Sequence, residues 1–235
     1  LVRNAGSMLR RSRPRFVAFH PGLSLTPMKG IANRDGFDAI VCNARHEVAL
    51  VDATTNQTRH VDWYQPSLRP RRPWCGSSPA DIRRLVFFTQ AESPATLTSR
   101  SFLAELLSAF AVAHPDLRTV VKLRSLPDEN AGHVHQERFH YSELLRSAPE
   151  NLTMSTESAE TYFTPDSLVL GCTTTVVVEP ACDGVPTLSY LDYPEASRDR
   201  LNLPMRALLR RSGIVATLDE IWSREVRPPN ADWLA

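Results

Sequence analysis

The sequence predicts an α/β chain whose larger part is a doubly wound parallel sheet. Three observations carry this. Short apolar runs such as Leu85-Val86-Phe87-Phe88 and Thr119-Val120-Val121-Lys122-Leu123 lack the alternation of a half-solvated strand and read as strands buried on both faces. Between them Phe102, Leu103, Leu106, Leu107, Phe110 and Ala111 fall at helical spacing. Strand, helix and strand then alternate along the rest of the chain, which is the order of βαβ units.

The elements are taken in chain order. Arg15 to His20 (RFVAFH) and Ala39 to Val41 predict short strands, with PGLSLTPMKG between them as a loop. Residues 65–79, QPSLRPRRPWCGSSP, hold four prolines, one glycine and several serines, a composition that neither a regular helix nor a central strand tolerates. We therefore expect a partial first lobe over residues 1–65, a linker over 66–83, the main α/β domain over 84–195 and a helical segment over 196–235. Within the main domain, Leu85–Phe88 and Thr119–Leu123 are the first two strands. A helix is expected around Glu137 to Arg146, a short strand at Asn151–Thr153, a polar helix near Glu157 to Tyr162, a strand at Ser167–Gly171, a helix from about Thr174 and a strand at Pro186–Tyr190.

Composition limits the class. Of 235 residues 42% are hydrophobic and 23% charged, which excludes a disordered or collagen-like polymer. The richest apolar stretch, Leu103 to Ala113, is interrupted by Glu105 and Ser108, short of the roughly 18 apolar residues of a spanning helix. Cys42, Cys75, Cys172 and Cys182 are widely spaced and suggest neither a zinc site nor a disulfide framework. A cytoplasmic location is the expectation. The chain starts at Leu1, which fits a fragment or a start in mid-domain. Residues 1–84 carry 14 Lys/Arg against 6 Asp/Glu, and residues 85–235 carry 13 against 20. The basic part suits an anionic partner such as a phosphorylated substrate, a lipid headgroup surface or nucleic acid; an arginine-rich solvated surface is the alternative.

In a doubly wound sheet, ligands sit outside the carboxyl ends of the strands, so candidate residues are sought there. The first strand delivers Gln90 to its loop. The second ends at Lys122 and Arg124, two apart and on one side of an extended chain, a pair of cations that favours an anion. His133 and His135 come next in a glycine-containing loop as candidate acids or donors to phosphate, against the alternative of a solvated loop. The most informative segment is LVLGCTTTVVVEPACDGVPTLSY: a strand, then Thr173, Thr174 and Thr175 at a helix start, where backbone N–H groups and hydroxyls suit a phosphate, although one threonine in this place is also an ordinary cap. Glu179, four residues after Thr175, shares its helix face and is a candidate acceptor for ribose hydroxyls. The GxxxxGK[ST], GxGxxG and GxSxG motifs are absent.

These residues resemble a family. The order FFTQ, HPDLRTVVKLRSLPDENAGHVH, NLT and SLVLGCTTTVVVEPACDGVPTLSYLDYP is similar to the nucleotide-binding domain of bacterial GT-B glycosyltransferases, with the nearest echo in an actinobacterial group related in style to CMP-sugar-using sialyl and Kdo transferases and to CDP-glycerol transferases. The resemblance covers residues 84–195. It implies a GT-B-like fold with a shortened first lobe, and transfer of a sugar from a nucleotide-activated, CMP-linked donor to a cell-surface glycan or lipid-linked acceptor. By the same resemblance, Thr173 and Thr174 hold donor phosphate, Glu179 holds ribose, Lys122 and Arg124 form the basic pair, and His133 or His135 stands near the leaving group. HPGLSLTPMKGIANRDGFDAIVCNARHE is similar to the end of an acceptor domain, which marks His20, Arg34 and Asp38 on the acceptor side. No metal or other cofactor is expected, nor a nucleic-acid partner, and contact with the inner membrane surface would be peripheral. Pro180 stands where the family pattern prefers alanine and predicts a kinked helix. A non-catalytic nucleotide-binding module is the alternative, and a basic nucleic-acid-binding protein a weaker one.

Overall fold

The computed structural model describes residues 15–19, 33–42, 45–55, 60–63, 74, 78–129, 137–199, 203–230 and 233. The chain divides into two compact units, residues 1–68 with 234–235, and residues 69–233. In the first unit, β1 (Val17–Phe19), β2 (Ala39–Cys42) and β3 (His60–Trp63) form a parallel sheet in that order, with α1 (Arg45–Thr54) between β2 and β3. Ala18, Ile40, Cys42 and Val51 make its core, with Phe37 and Val48 packed against them. The Asp38 carboxylate accepts from the Phe16 N–H at 2.8 Å and so ties the start of β1 to the start of β2.

The second unit carries a five-stranded sheet, β4 (Arg84–Phe88), β5 (Arg118–Lys122), β6 (Leu152–Ser155), β7 (Ser167–Gly171) and β8 (Thr187–Ser189), in the order β6-β5-β4-β7-β8 with every pairing parallel. Counted within the unit this is third, second, first, fourth, fifth, the doubly wound order whose direction of travel reverses between the first and fourth strands. Leu85, Val86, Phe87, Leu168, Val169 and Leu170 are all buried, as a central parallel strand requires. The fold class is as expected from the sequence.

Between β4 and β5 runs α2 (Leu97–Ala113), capped by Thr96, whose Oγ1 accepts from the Ser99 N–H at 3.2 Å. Its buried stripe is Leu103, Ala104, Leu107, Phe110 and Ala111, with Phe102 and Leu106 half-buried beside it. The helix expected over 137–146 is reduced to α3 (Tyr141–Leu144): His140 caps it through Nδ1, which accepts from the Ser142 N–H at 3.3 Å, and Glu137 and Phe139 are engaged by Arg100 instead. Where a polar helix was expected near 157–162 there is one 3-10 turn, Ala159–Tyr162.

The segment after β8 packs into the same unit. Beyond α4 (Val178–Cys182), which lies between β7 and β8, come α5 (Leu203–Ser212) and α6 (Leu218–Ser223). Val215, just after α5, forms a parallel bridge with Ser189, and α6 stands behind a capping box of Thr217 and Glu220. Ala216 and Ile221 join the main core, and Trp222 lies 5.6 Å from Phe110, ring to ring. No helix among the described residues is long and apolar enough to cross a membrane.

Candidate functional site

A cavity of about 330 Å³ lies at the carboxyl ends of β4, β5 and β7, lined by residues 89–93, Arg124 and residues 174–176. This is the crevice beside the strand-order reversal, where an open α/β sheet leaves room for a ligand because the loops of β4 and β7 part in opposite directions. Four of the residues chosen from sequence meet there: Gln90, Arg124, Thr174 and Thr175.

The three threonines have three different tasks. Thr173 is buried, and its Oγ1 lies 2.7 Å from Ser93 Oγ and 3.3 Å from the terminal amide of Gln90. Thr174 caps the next turn, accepting from the Val176 N–H at 3.2 Å, which is the plain capping role. Thr175 is exposed on the cavity wall. That turn is a 3-10 segment, Thr175–Val177, and only then does α4 begin. Pro180 therefore falls in the first turn of α4, where a missing N–H costs least, and the threonines lead into a tight turn with a short helix, not one kinked helix. Cys172 beneath them is buried, and burial pushes its thiol well above the ordinary range; it packs as a neutral group.

Gly171 makes the close approach of this turn possible. A Cβ there would stand 2.7 Å from both Thr174 Cγ2 and Val177 Cγ1. Gly171→Ala is expected to lower stability by about 1–3 kcal/mol, the usual cost of overpacking, by driving the Thr174 cap away from the strand end. A thermal melt checks it, and an unchanged Tm would show that the turn relaxes freely.

The loop after β4 is held from behind by two buried charged residues that the sequence did not mark. Arg100 on α2 is 1% exposed. Its guanidinium donates to the carbonyls of Gln90 (2.6 Å), Ala91 (2.7 Å), Pro94 (2.8 Å) and Phe139 (2.9 Å), and pairs with the buried Glu137. It also lies 5.3 Å from the centre of the Tyr141 ring. Asp199, 4% exposed, accepts from the Ala95 N–H and from Ser93 Oγ, both at 2.9 Å, and from the Tyr193 hydroxyl. Burial raises the Tyr193 pKa, so that hydroxyl keeps its proton. Arg206 closes the set, donating to Leu191 O at 2.7 Å beside the Tyr193 ring. A run such as Ser-Arg-Ser within α2 reads as a solvated face, and only the tertiary packing shows otherwise.

The whole chain, residues 1–235, matches the family model described as "Putative glycosyltransferase (DUF6716)". The chain belongs to this family. No curated protein matches it. Among solved structures it is similar to "Crystal Structure of TarM", with a TM-score of 0.43 and 9% identity over 91% of this chain and 43% of that one. It is also similar to "Trehalose-6-phosphate synthase. OtsA", with a TM-score of 0.40 and 11% identity over 92% of this chain and 62% of that one. The chain thus spans less than two thirds of the length of either.

Within this family member the remaining candidates are absent from the cavity lining, belong to the first unit or lie outside the described residues. Of the pair Lys122 and Arg124, Arg124 lines the cavity and Lys122, the last residue of β5, does not. Lys122 donates through Nζ to Leu123 O at 2.5 Å, and burial lowers its pKa, an effect opposed by the Glu160 carboxylate. Glu179 is half-buried on α4 and is not part of the cavity wall. The 3-10 turn before it advances about 120° per residue, not 100°, so Thr175 and Glu179 do not share the face an uninterrupted α-helix would give them. Arg34 and Asp38 lie in the first unit, Asp38 on the Phe16 N–H. His20, His133 and His135 lie outside the described residues. Among the described residues no group of three His, Cys, Asp or Glu stands ready to hold a metal.

Proposed function

We propose that the cavity between the ends of β4 and β7 takes the nucleotide part of an activated sugar, and that the chain works as a GT-B-type glycosyltransferase. In this reading the sugar leaves a CMP-linked donor for a cell-surface glycan or lipid-linked acceptor, at the cytoplasmic face of the membrane and without a metal cofactor. The observation that carries it is the position of the cavity at the strand-order reversal in a member of a glycosyltransferase family. The cavity's make-up is polar, with the Arg124 guanidinium and the Glu92 carboxylate among hydroxyl and amide groups, and the guanidinium is the group that suits a phosphate.

Transfer breaks the bond between the anomeric carbon and the donor phosphate oxygen and forms one to the acceptor oxygen, whose proton passes to a base. Negative charge grows on the departing phosphate. A fixed guanidinium and hydroxyls aimed at that charge stabilise the transition state more than the ground state, and in this reading Arg124 and Thr175 have that role. His133 or His135 would donate a proton to the same oxygen. The specificity for cytidine rests on the family resemblance of the sequence.

The test is nucleotide binding. CMP at about 100 times its dissociation constant stabilises the folded chain by about 2.7 kcal/mol, a Tm rise of several degrees for a chain of this size. Arg124→Ala is expected to weaken CMP by about 1.5–3 kcal/mol, the usual worth of a hydrogen bond to a charged group, and to leave cytidine nearly untouched. No rise with any nucleoside mono- or diphosphate would remove the proposal.

A further inference from the structure

The hydroxyl groups behind the cavity determine which way round Gln90 presents its amide. Asp199 accepts from the Tyr193 hydroxyl and, at 2.9 Å, from Ser93 Oγ. A hydroxyl has one hydrogen to give. Oxygens of a serine and a carboxylate 2.9 Å apart repel unless that hydrogen lies between them, so the Ser93 proton is committed to Asp199. Tyr193 commits its own proton to the same carboxylate and has none for Ser93, 3.3 Å away. Ser93 Oγ and Thr173 Oγ1 stand 2.7 Å apart, and the hydrogen between them must come from Thr173. Thr173 then has nothing left to donate. The structure sets Gln90 Oε1 3.3 Å from Thr173 Oγ1, which leaves acceptor facing acceptor once these protons are committed. The amide end at this place must bring the hydrogen itself, and the two ends, nearly identical in shape, are told apart by such a count.

We infer that Gln90 turns its Nε2 to Thr173 and its carbonyl Oε1 into the cavity, where it reads a hydrogen-bond donor on the nucleotide, an O–H or N–H group, and not a phosphate oxygen. The inference rests on the proposed nucleotide site. Ser93, Thr173 and Asp199 act through Gln90 as positioning residues. The Gln90 backbone is held separately, its carbonyl bound by Arg100, and the side chain takes its orientation from the hydroxyl chain. The donor group it meets belongs either to the ribose or to the amino group of a base.

Two measurements test this. Gln90→Glu sets a second acceptor against Thr173, and a Tm lower by about 2–4 °C is expected. Ser93→Ala releases the Thr173 hydrogen to turn toward residue 90, so in that background Gln90→Glu is expected to lower Tm by less than about half as much. An equal loss in both backgrounds overturns the orientation. These melts need no ligand, so they decide the orientation even where nucleotide binding fails and the proposed function falls with it. The second measurement is calorimetry of Gln90→Leu, expected to bind CMP and cytidine alike about 2–12-fold more weakly than the parent. UMP escapes the loss if the base amino group is the one read, and 2′-deoxyCMP or 3′-deoxyCMP escapes it if a ribose hydroxyl is. A loss seen for CMP and absent for cytidine would place a phosphate oxygen opposite Gln90 and overturn the inference.

Discussion

Arg100→Met is expected to lower Tm by roughly 6–20 °C. Removing one partner of a buried ion pair costs about 3–5 kcal/mol, and for a chain of this size each kcal/mol moves Tm by about 2–4 °C. The buried Glu137 carboxylate loses its guanidinium, and the carbonyls of Gln90, Ala91, Pro94 and Phe139 lose their donor together. Methionine keeps much of the volume, so the loss reports polar contacts and not a cavity. Arg100→Lys is expected to recover only a small part, because an ammonium group cannot span acceptors spread around a planar fork. A melt of Arg100→Met within about 3 °C of the parent, below the range just given, would show that the pair contributes little.

Asp199→Ala is the second large effect, with an expected loss of about 3 kcal/mol or more, since the Ala95 N–H, the Ser93 hydroxyl and the Tyr193 hydroxyl all donate to this carboxylate and each buried donor left without a partner costs about 1–3 kcal/mol. Asp199→Asn keeps the shape but sets an N–H₂ against groups that are themselves donors. It is expected to lie between alanine and the parent in urea unfolding, where the midpoint falls with m unchanged. If Asn proves as stable as Asp, the carboxylate is not what orders these hydroxyls, and the orientation inferred for Gln90 loses its anchor as well.

The legible part of the sequence was the part that repeats. β4, β5 and β7 are continuous apolar runs, and α2 repeats its apolar residues at 3.6 spacing, so each can be read from local pattern. α1 and β3 went unread because Arg45–Thr54 and His60–Trp63 are short and weakly patterned. In the site, Gln90, Arg124, Thr174 and Thr175 were reachable because strand ends are where a wound sheet keeps its ligands. The helical period that joins Glu179 to Thr175 is broken by a 3-10 turn, and the alternation that pairs Lys122 with Arg124 does not tell which of the two lines the cavity. Arg100 and Asp199 were hidden for a different reason. A lone arginine among serines, or an aspartate between arginines, resembles a wet surface, and the burial of both depends on contacts distant in sequence, Glu137 for one and Ser93 for the other.

The manner in which the β4 loop is anchored separates holding from reading. Arg100 grips backbone carbonyls, and Asp199 grips a backbone N–H together with the buried Ser93 hydroxyl, so the loop's path is set from behind the cavity. Thr175 and Val176, across the cavity on the β7 side, follow a cap in which Thr174 Oγ1 accepts from the Val176 N–H. Replacements at 175 and 176 that keep the Val176 N–H are therefore expected to leave this cap in place. In the proposed reading Thr175 meets the departing phosphate, so its replacement is expected to slow transfer while Tm holds, which tells the cavity surface apart from the frame beneath it.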